Sequence, residues 1–206
     1  MSLIQHPTSN FQRLVVLISG HGSNLQAILD ACASGELNAQ VVAVIANKSD
    51  AFGLERARRS NITAIAKPKA KEQDRRAYDA DLADLAASFQ PDWIVLAGWM
   101  RVLSSAFLDR FPQRVINLHP ALPGTFPGTH AIERAYAAYQ RGEIDRTGVM
   151  VHLVPDEGID NGPVLAQTEV LIQPTDTLES LEARIHQTEH RLLIEALETY
   201  CVMRGA

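Results

Sequence analysis

Leu14-Val-Val-Leu-Ile-Ser-Gly-His-Gly-Ser-Asn-Leu25 is the stretch on which the fold turns. Leu14 to Ile18 is an unbroken apolar run rich in β-branched side chains, the pattern of a strand covered on both faces. Gly20 and Gly22 interrupt it. From Ser23 to about Cys32, Leu25, Ile28 and Leu29 fall at helical spacing. A buried strand, a glycine turn and a helix in direct succession open an α/β sheet.

The same rhythm continues outward. A second apolar run covers residues 41–46 and is followed by a short helix over residues 52–59. Residues 62–66 make a weak third strand. Residues 74–89 form an amphipathic helix with Tyr78, Leu82 and Leu85 on one stripe. Residues 93–97 and 115–119 are two further buried strands. After residue 147 the order changes: residues 148–154 and 164–171 are strands with only a loop between them, which fits a hairpin extending the sheet. A long helix over residues 177–200 follows. The expected fold class is α/β and Rossmann-like: a mostly parallel twisted sheet with helices on both faces and a late antiparallel strand pair. Residues 1–12 read as a disordered leader and 13–206 as a single domain.

Bulk properties narrow the function classes. The 206 residues are 46% hydrophobic and 21% charged, which supports a globular core. A net charge of −5 argues against a nucleic-acid partner. Two cysteines, Cys32 and Cys201, without CxxC spacing point to a reducing compartment. No apolar run reaches membrane-spanning length and no signal core precedes the first strand, so a cytoplasmic location is expected.

Three segments carry chemistry. Ser19 to Asn24 joins the first strand to the first helix, where free backbone N–H groups and the helix dipole favour an anion. Leu25 stands where a dinucleotide fingerprint has its third glycine, and Asn47-Lys48 stands where an NAD ribose wants an acid, so a phosphomonoester is favoured over NAD. The bland alternative is a tight turn with Ser23 or Asn24 as helix cap.

Asn117-Leu118-His119-Pro120 ends a buried strand. Strand periodicity puts Asn117 and His119 on one face and Ile116 and Leu118 on the other. Two polar side chains at the carboxyl end of a parallel strand lie where open α/β sheets bind ligands. Asn117 can donate to an oxygen becoming negative, and His119 can carry a proton near neutrality. A core histidine bonded to backbone, with Asn117 satisfying a turn, is the alternative. Finally, Asp156, Glu157 and Asp160 fall within five residues of the loop between the late strands. An ordinary hairpin loop uses the same residue types. If Asp160 faces His119, the two supply proton relay and charge stabilisation.

These segments occur together with residues 15–27, 47–57, 96–104, 116–120, 126–128, 151–154 and 160–163 in an order that resembles the glycinamide ribonucleotide formyltransferase family, folate-dependent enzymes of purine synthesis. The likeness runs over residues 13–200. It implies the formyltransferase fold and transfer of a formyl group from 10-formyltetrahydrofolate, a co-substrate, to the amine of 5-phosphoribosylglycinamide. It implies that Asn117, His119 and Asp160 are catalytic. Gly22, Ser23 and Asn24 would form the ribonucleotide phosphate loop, with Glu189 on the ribose. Arg75, Met100, Arg101, Val102 and Leu103 would bind folate. Taken by themselves, Arg75 and Glu189 read rather as solvated helical charges, and residues 100–103 as core packing.

His130 and His152 match family positions without assigned roles. The chain departs from the family with His21 where Asn is common and with a different residue 122–126 loop, and relative to some members Gly158 reads as a one-residue insertion. No metal is expected, because the histidine and carboxylate spacing matches no usual zinc pattern. The expected assembly is a monomer or homodimer with small-molecule substrates only. Rival functions are a 10-formyltetrahydrofolate hydrolase, a formyltransferase for another amine, and a non-catalytic nucleotide-binding module. Relatives acting on folate hydrolysis or on initiator tRNA carry additional domains, which are not expected here.

Overall fold

In the computed structural model, which describes residues 11–202, the opening apolar run becomes β1 (Gln12–Ile18) and the residues after the glycine turn become α1 (Ser23–Ser34). The sequence rhythm then yields β2 (Ala39–Ala46), α2 (Phe52–Arg59), β3 (Thr63–Ala66), α3 (Arg75–Ala87), β4 (Trp93–Leu96), α4 (Ser105–Leu108) and β5 (Val115–His119). The chain continues with α5 (Ala131–Gln140), β6 (Arg146–Leu153), β7 (Val164–Leu171) and α6 (Leu178–Leu197), and then a π-helical turn, Glu198–Val202. Of the leader expected over residues 1–12, the first ten lie outside the described residues, and Gln12 already belongs to β1.

The strands form one sheet in the order β3-β2-β1-β4-β5-β6-β7. Pairings from β3 through β5 are parallel, and β6 and β7 are added by antiparallel pairing. The late hairpin therefore extends the sheet as the sequence pattern predicts. Alternation along β1 splits the core in two. Leu14, Val16 and Ile18 pack with residues of α1, α2, α5 and α6, while Val15 and Leu17 pack with Tyr78, Leu82 and Phe107 of α3 and α4. Both faces of β1 are thus covered, which is why its sequence shows no polar alternation.

Two helices have no counterpart in the sequence reading. The buried face of α5 is Ala131, Ile132, Ala135 and Ala138, and α4 is a single turn. Three alanines give a weak apolar stripe, and one turn is too short to show a period. Asp74 caps α3 by accepting a hydrogen bond from Ala77 N at 3.0 Å. A capping box of Thr177 and Ser180 starts α6.

Strand order reverses between β1 and β4. Such switch points open a crevice at the carboxyl ends of the strands. Three chain segments meet there: residues 19–24 after β1, residues 98–103 after β4 and the end of β5.

Candidate active site

The first wall of the crevice is the glycine turn. Gly22 is the N-cap of α1 with φ +74°, and no side chain caps that helix. A Cβ on Gly22 would stand 2.8 Å from the Gly53 Cα, so α2 can approach only a glycine. Gly53 N donates to Gly20 O at 3.1 Å, and Arg56 Nε donates to His21 O at 2.9 Å, which hold the turn from outside. His21 stacks on Phe52 with ring centroids 5.4 Å apart.

Ser19 to Asn24 line a cavity together with Lys48, His130, His186 and Glu189. The N-terminus of α1 therefore meets Lys48 and Glu189 in one concave space. Glu189 is 5% exposed and accepts from His186 Nδ1 at 2.6 Å. That bond raises the His186 ring above its ordinary value, with burial opposing. Among the described residues, Asn24 Oδ1 is buried without a hydrogen-bond partner.

A second cavity, of about 530 Å³, lies beside the first and shares Gly98, Met100, Leu118, Pro120, His130 and Ala131 with it. Met100, Arg101, Val102 and Leu103 all line it. They differ in kind. Leu103 is buried in the core, whereas Met100 and Val102 are exposed, as is Ile159 on the facing loop. Arg101 lies with its Cζ 5.2 Å from the Tyr78 ring centroid, and its Nε is buried without a partner among the described residues. Arg75 does not line this cavity. Its Nη2 donates to Glu157 at 2.9 Å, at the edge of the loop. Ser19, which had no role in the sequence reading, ties the two cavities: its Oγ accepts from Met100 N at 2.7 Å.

Asn117, His119, His152 and Asp160 converge on the second cavity. Ile116 and Leu118 point into the core, so the predicted alternation of β5 holds. His119 Nε2 lies 3.1 Å from Phe126 O, and a carbonyl only accepts, so that nitrogen carries a proton. The other nitrogen, Nδ1, lies 3.3 Å from Asp160 Oδ2. Both partners are satisfied at once only by the doubly protonated ring. Burial pushes the His119 ring below its ordinary value of 6.5, against the pull of Asp160 and of the Phe126 carbonyl. The ring is thus mostly neutral at neutral pH, with a place prepared for its second proton.

Asp160 sits at φ +51° and accepts from Gly128 N at 2.7 Å and from Asn117 Nδ2 at 3.1 Å. Burial works to raise its carboxyl, but the Gly128 N–H and the attraction of His119 outweigh it and hold the group below its usual value. His152 Nδ1 lies 2.8 Å from Leu153 O and must donate there, which leaves Nε2 to accept from Asn117 Nδ2 at 3.1 Å. Both Asn117 amide hydrogens are therefore engaged, one by Asp160 and one by His152. His152 is the member that sequence reasoning left without a role. Position 152 pairs with Asn117 across the β5–β6 ladder, a register that the sequence did not show.

Among the described residues, no group of three or more His, Cys, Asp or Glu is placed to hold a metal ion, and no helix is long and apolar enough to cross a membrane.

Comparison with known proteins gives a consistent picture. A family model described as formyl transferase matches residues 12–197. The phosphoribosylglycinamide formyltransferase of Dictyostelium discoideum is 46% identical over 198 residues, which is 90% of this chain and 96% of that protein. That of Escherichia coli (strain K12) is 42% identical over 179 residues, 87% of this chain and 82% of that protein. The crystal structure of glycinamide ribonucleotide transformylase 1 from Symbiobacterium toebii superposes with a TM-score of 0.88 at 39% identity, over 99% of this chain and 93% of that one. The corresponding structure from Geobacillus kaustophilus gives 0.85 at 40% identity, over 92% and 98%.

Proposed function

We propose that this chain, which belongs to the formyl transferase family, transfers the formyl group of 10-formyltetrahydrofolate to the primary amine of 5-phosphoribosylglycinamide. The observation that carries this is the position of the Asn117, His119 and Asp160 cluster, on the second cavity and next to the residues that the two cavities share. The first cavity, with the α1 N-terminus at Gly22, Ser23 and Asn24, suits a phosphate. Glu189 at its far side suits ribose hydroxyls. The second cavity, with exposed Met100, Val102 and Ile159 around Arg101, suits a flat heteroaromatic such as a pteridine.

The chemistry follows from the proton inventory. The acceptor amine attacks the formyl carbon, and the carbonyl oxygen becomes negative while the attacking nitrogen becomes positive. His119 in its protonated form, the minor one at neutral pH, stabilises that oxygen once its Nε2 turns from the Phe126 carbonyl. Asn117 donates to it as well, once one of its bonds to Asp160 or His152 is given up. Asp160 accepts the proton from the attacking nitrogen, directly or through water, and the proton passes to the departing folate nitrogen. The carbon–nitrogen bond to folate then breaks and the formamide remains. Fixing both substrates in adjoining cavities contributes through orientation, and each lost oxyanion donor costs about 2.7–4 kcal/mol.

An absorbance assay of 10-formyltetrahydrofolate consumption, with and without 5-phosphoribosylglycinamide, tests the proposal. Turnover that needs the acceptor and falls at least roughly 100-fold in Asp160→Asn is expected. Formate release independent of acceptor would establish a hydrolase instead. Residues 13–206 are read as one formyltransferase domain, working in the cytoplasm as a monomer or homodimer without nucleic-acid or membrane partners. Arg75 would meet folate from the edge of the loop with its Nη2 still on Glu157.

A further inference from the structure

The loop that carries Asp160 runs from β6 to β7. Its base is closed by Leu153 N donating to Pro163 O at 2.9 Å, and Gly158 N donates back to Asp156 Oδ1 at 2.7 Å. Asp156, Gly158, Ile159 and Asp160 line the second cavity, but Glu157 does not. Glu157 reaches the other way, onto the neighbouring layer. Its Oε1 accepts from Ser105 N, in the first turn of α4, at 2.9 Å. Its Oε2 accepts from Arg75 Nη2 of α3 at 2.9 Å, and Arg76 Nη1 stands 3.7 Å from Oε1.

We infer that Glu157 is a positioning residue: by pinning the loop to α3 and α4 it keeps Asp160 against the His119 ring. The need for such a pin lies in the backbone. Asp160 adopts φ +51°, in the left-handed region, which costs a side-chain-bearing residue some strain, less for Asp than for most, and neighbouring contacts offset that cost. On its inner side Asp160 is tied by Gly128, Asn117 and His119. Glu157, three residues earlier, is the tie on the outer side. The pair with Arg75 is half exposed, so it contributes little to global stability. Its consequence is local, in the placement of one carboxylate.

This inference rests on the transferase function proposed above, so its test includes a readout that does not depend on turnover. Glu157→Ala and Glu157→Gln would be made in the full chain. In the alanine variant, amide hydrogen exchange over residues 156–162 should quicken while the rest of the sheet keeps its protection. The kcat should fall on the order of 10- to 100-fold, with the KM for 5-phosphoribosylglycinamide unchanged. The groups that act on His119 are Asp160, His152 and Glu189. With Asp160 displaced, its pull on the ring weakens, and the basic limb of the kcat–pH profile, where protonated His119 is lost, should move to lower pH. The glutamine variant keeps an acceptor for Ser105 N and should recover part of the loss. It also serves as the probe should the alanine variant not fold. Unchanged exchange over residues 156–162 would overturn the inference, as would faster exchange with wild-type kcat and pH profile. An inactive wild-type chain would instead sink the transferase proposal, and the exchange comparison would still decide whether the pin exists.

Discussion

Gly22 shows how much of the site depends on a missing atom. With φ +74° and α2 at contact distance, it allows the chain to turn sharply and leave the α1 N–H groups facing the cavity. Gly22→Ala meets both the left-handed penalty of about 1–2 kcal/mol and a clash with the Gly53 backbone. The expected result is a KM for the ribonucleotide raised roughly 10-fold, with kcat reduced far less, because the phosphate end lies away from the reacting carbon. Steady-state kinetics at saturating folate would check this. A change confined to kcat would mean that the turn does not hold the phosphate. At the same scale, Asn117 and His119 depend on partners from distant segments: His152, Phe126 and Asp160.

Among the elements, α6 serves both architecture and site. Its buried residues Leu181, Ile185, Leu192 and Leu193 join the larger core, and it presents His186 and Glu189 to the first cavity. The helix starts with Thr177 Oγ1 accepting from Ser180 N at 3.2 Å and Ser180 Oγ accepting from Thr177 N at 3.0 Å. Removing the first bond by Thr177→Ala should destabilise the fold by about 1 kcal/mol. For a chain of this size that lowers Tm by roughly 2–4 °C. Calorimetry would read the shift, and kcat should stay at the wild-type value. A large loss of activity would mean that the helix start is coupled to the site.

At the scale of the whole molecule, buried titratable groups make stability depend on pH. The His119 ring has its folded value below 6.5, so just below that pH the unfolded chain binds more protons than the native one. Stability from this group is present above about pH 6.5 and is lost as pH falls toward the folded value. His190 acts in the same direction, since burial lowers it too. His186 acts oppositely: its raised ring contributes below pH 6.5 and loses that contribution as pH rises through its folded value. Asp160, lowered from 3.8, adds a further loss in stronger acid. Urea unfolding at pH 7.5 and 5.5 should therefore show a smaller loss of stability on acidification in His119→Asn than in the wild type. Equal losses would mean that His119 is not held below its ordinary value.

The apolar runs, the β-then-α rhythm and the late hairpin were legible because periodicity is a local property: a strand buried on both faces must be apolar throughout, whatever it packs against. The Gly22 turn and the alternation of Asn117 with Leu118 were legible for the same reason. Family likeness, not spacing, singled out Glu189, Arg75 and residues 100–103, since nothing local separates an aimed charge from a solvated one; Asp160 was a candidate from its loop, but an ordinary hairpin loop read as well. Helix α5 escaped because alanine makes a weak stripe. Only tertiary structure decided that Asp160 lies against His119, that His152 takes one of the Asn117 hydrogens, and that Arg75 is paired with Glu157 at the edge of the loop. Each of those contacts joins residues far apart in the chain. Their geometry is set by strand order and loop path, which the identity of the residues at either end does not contain.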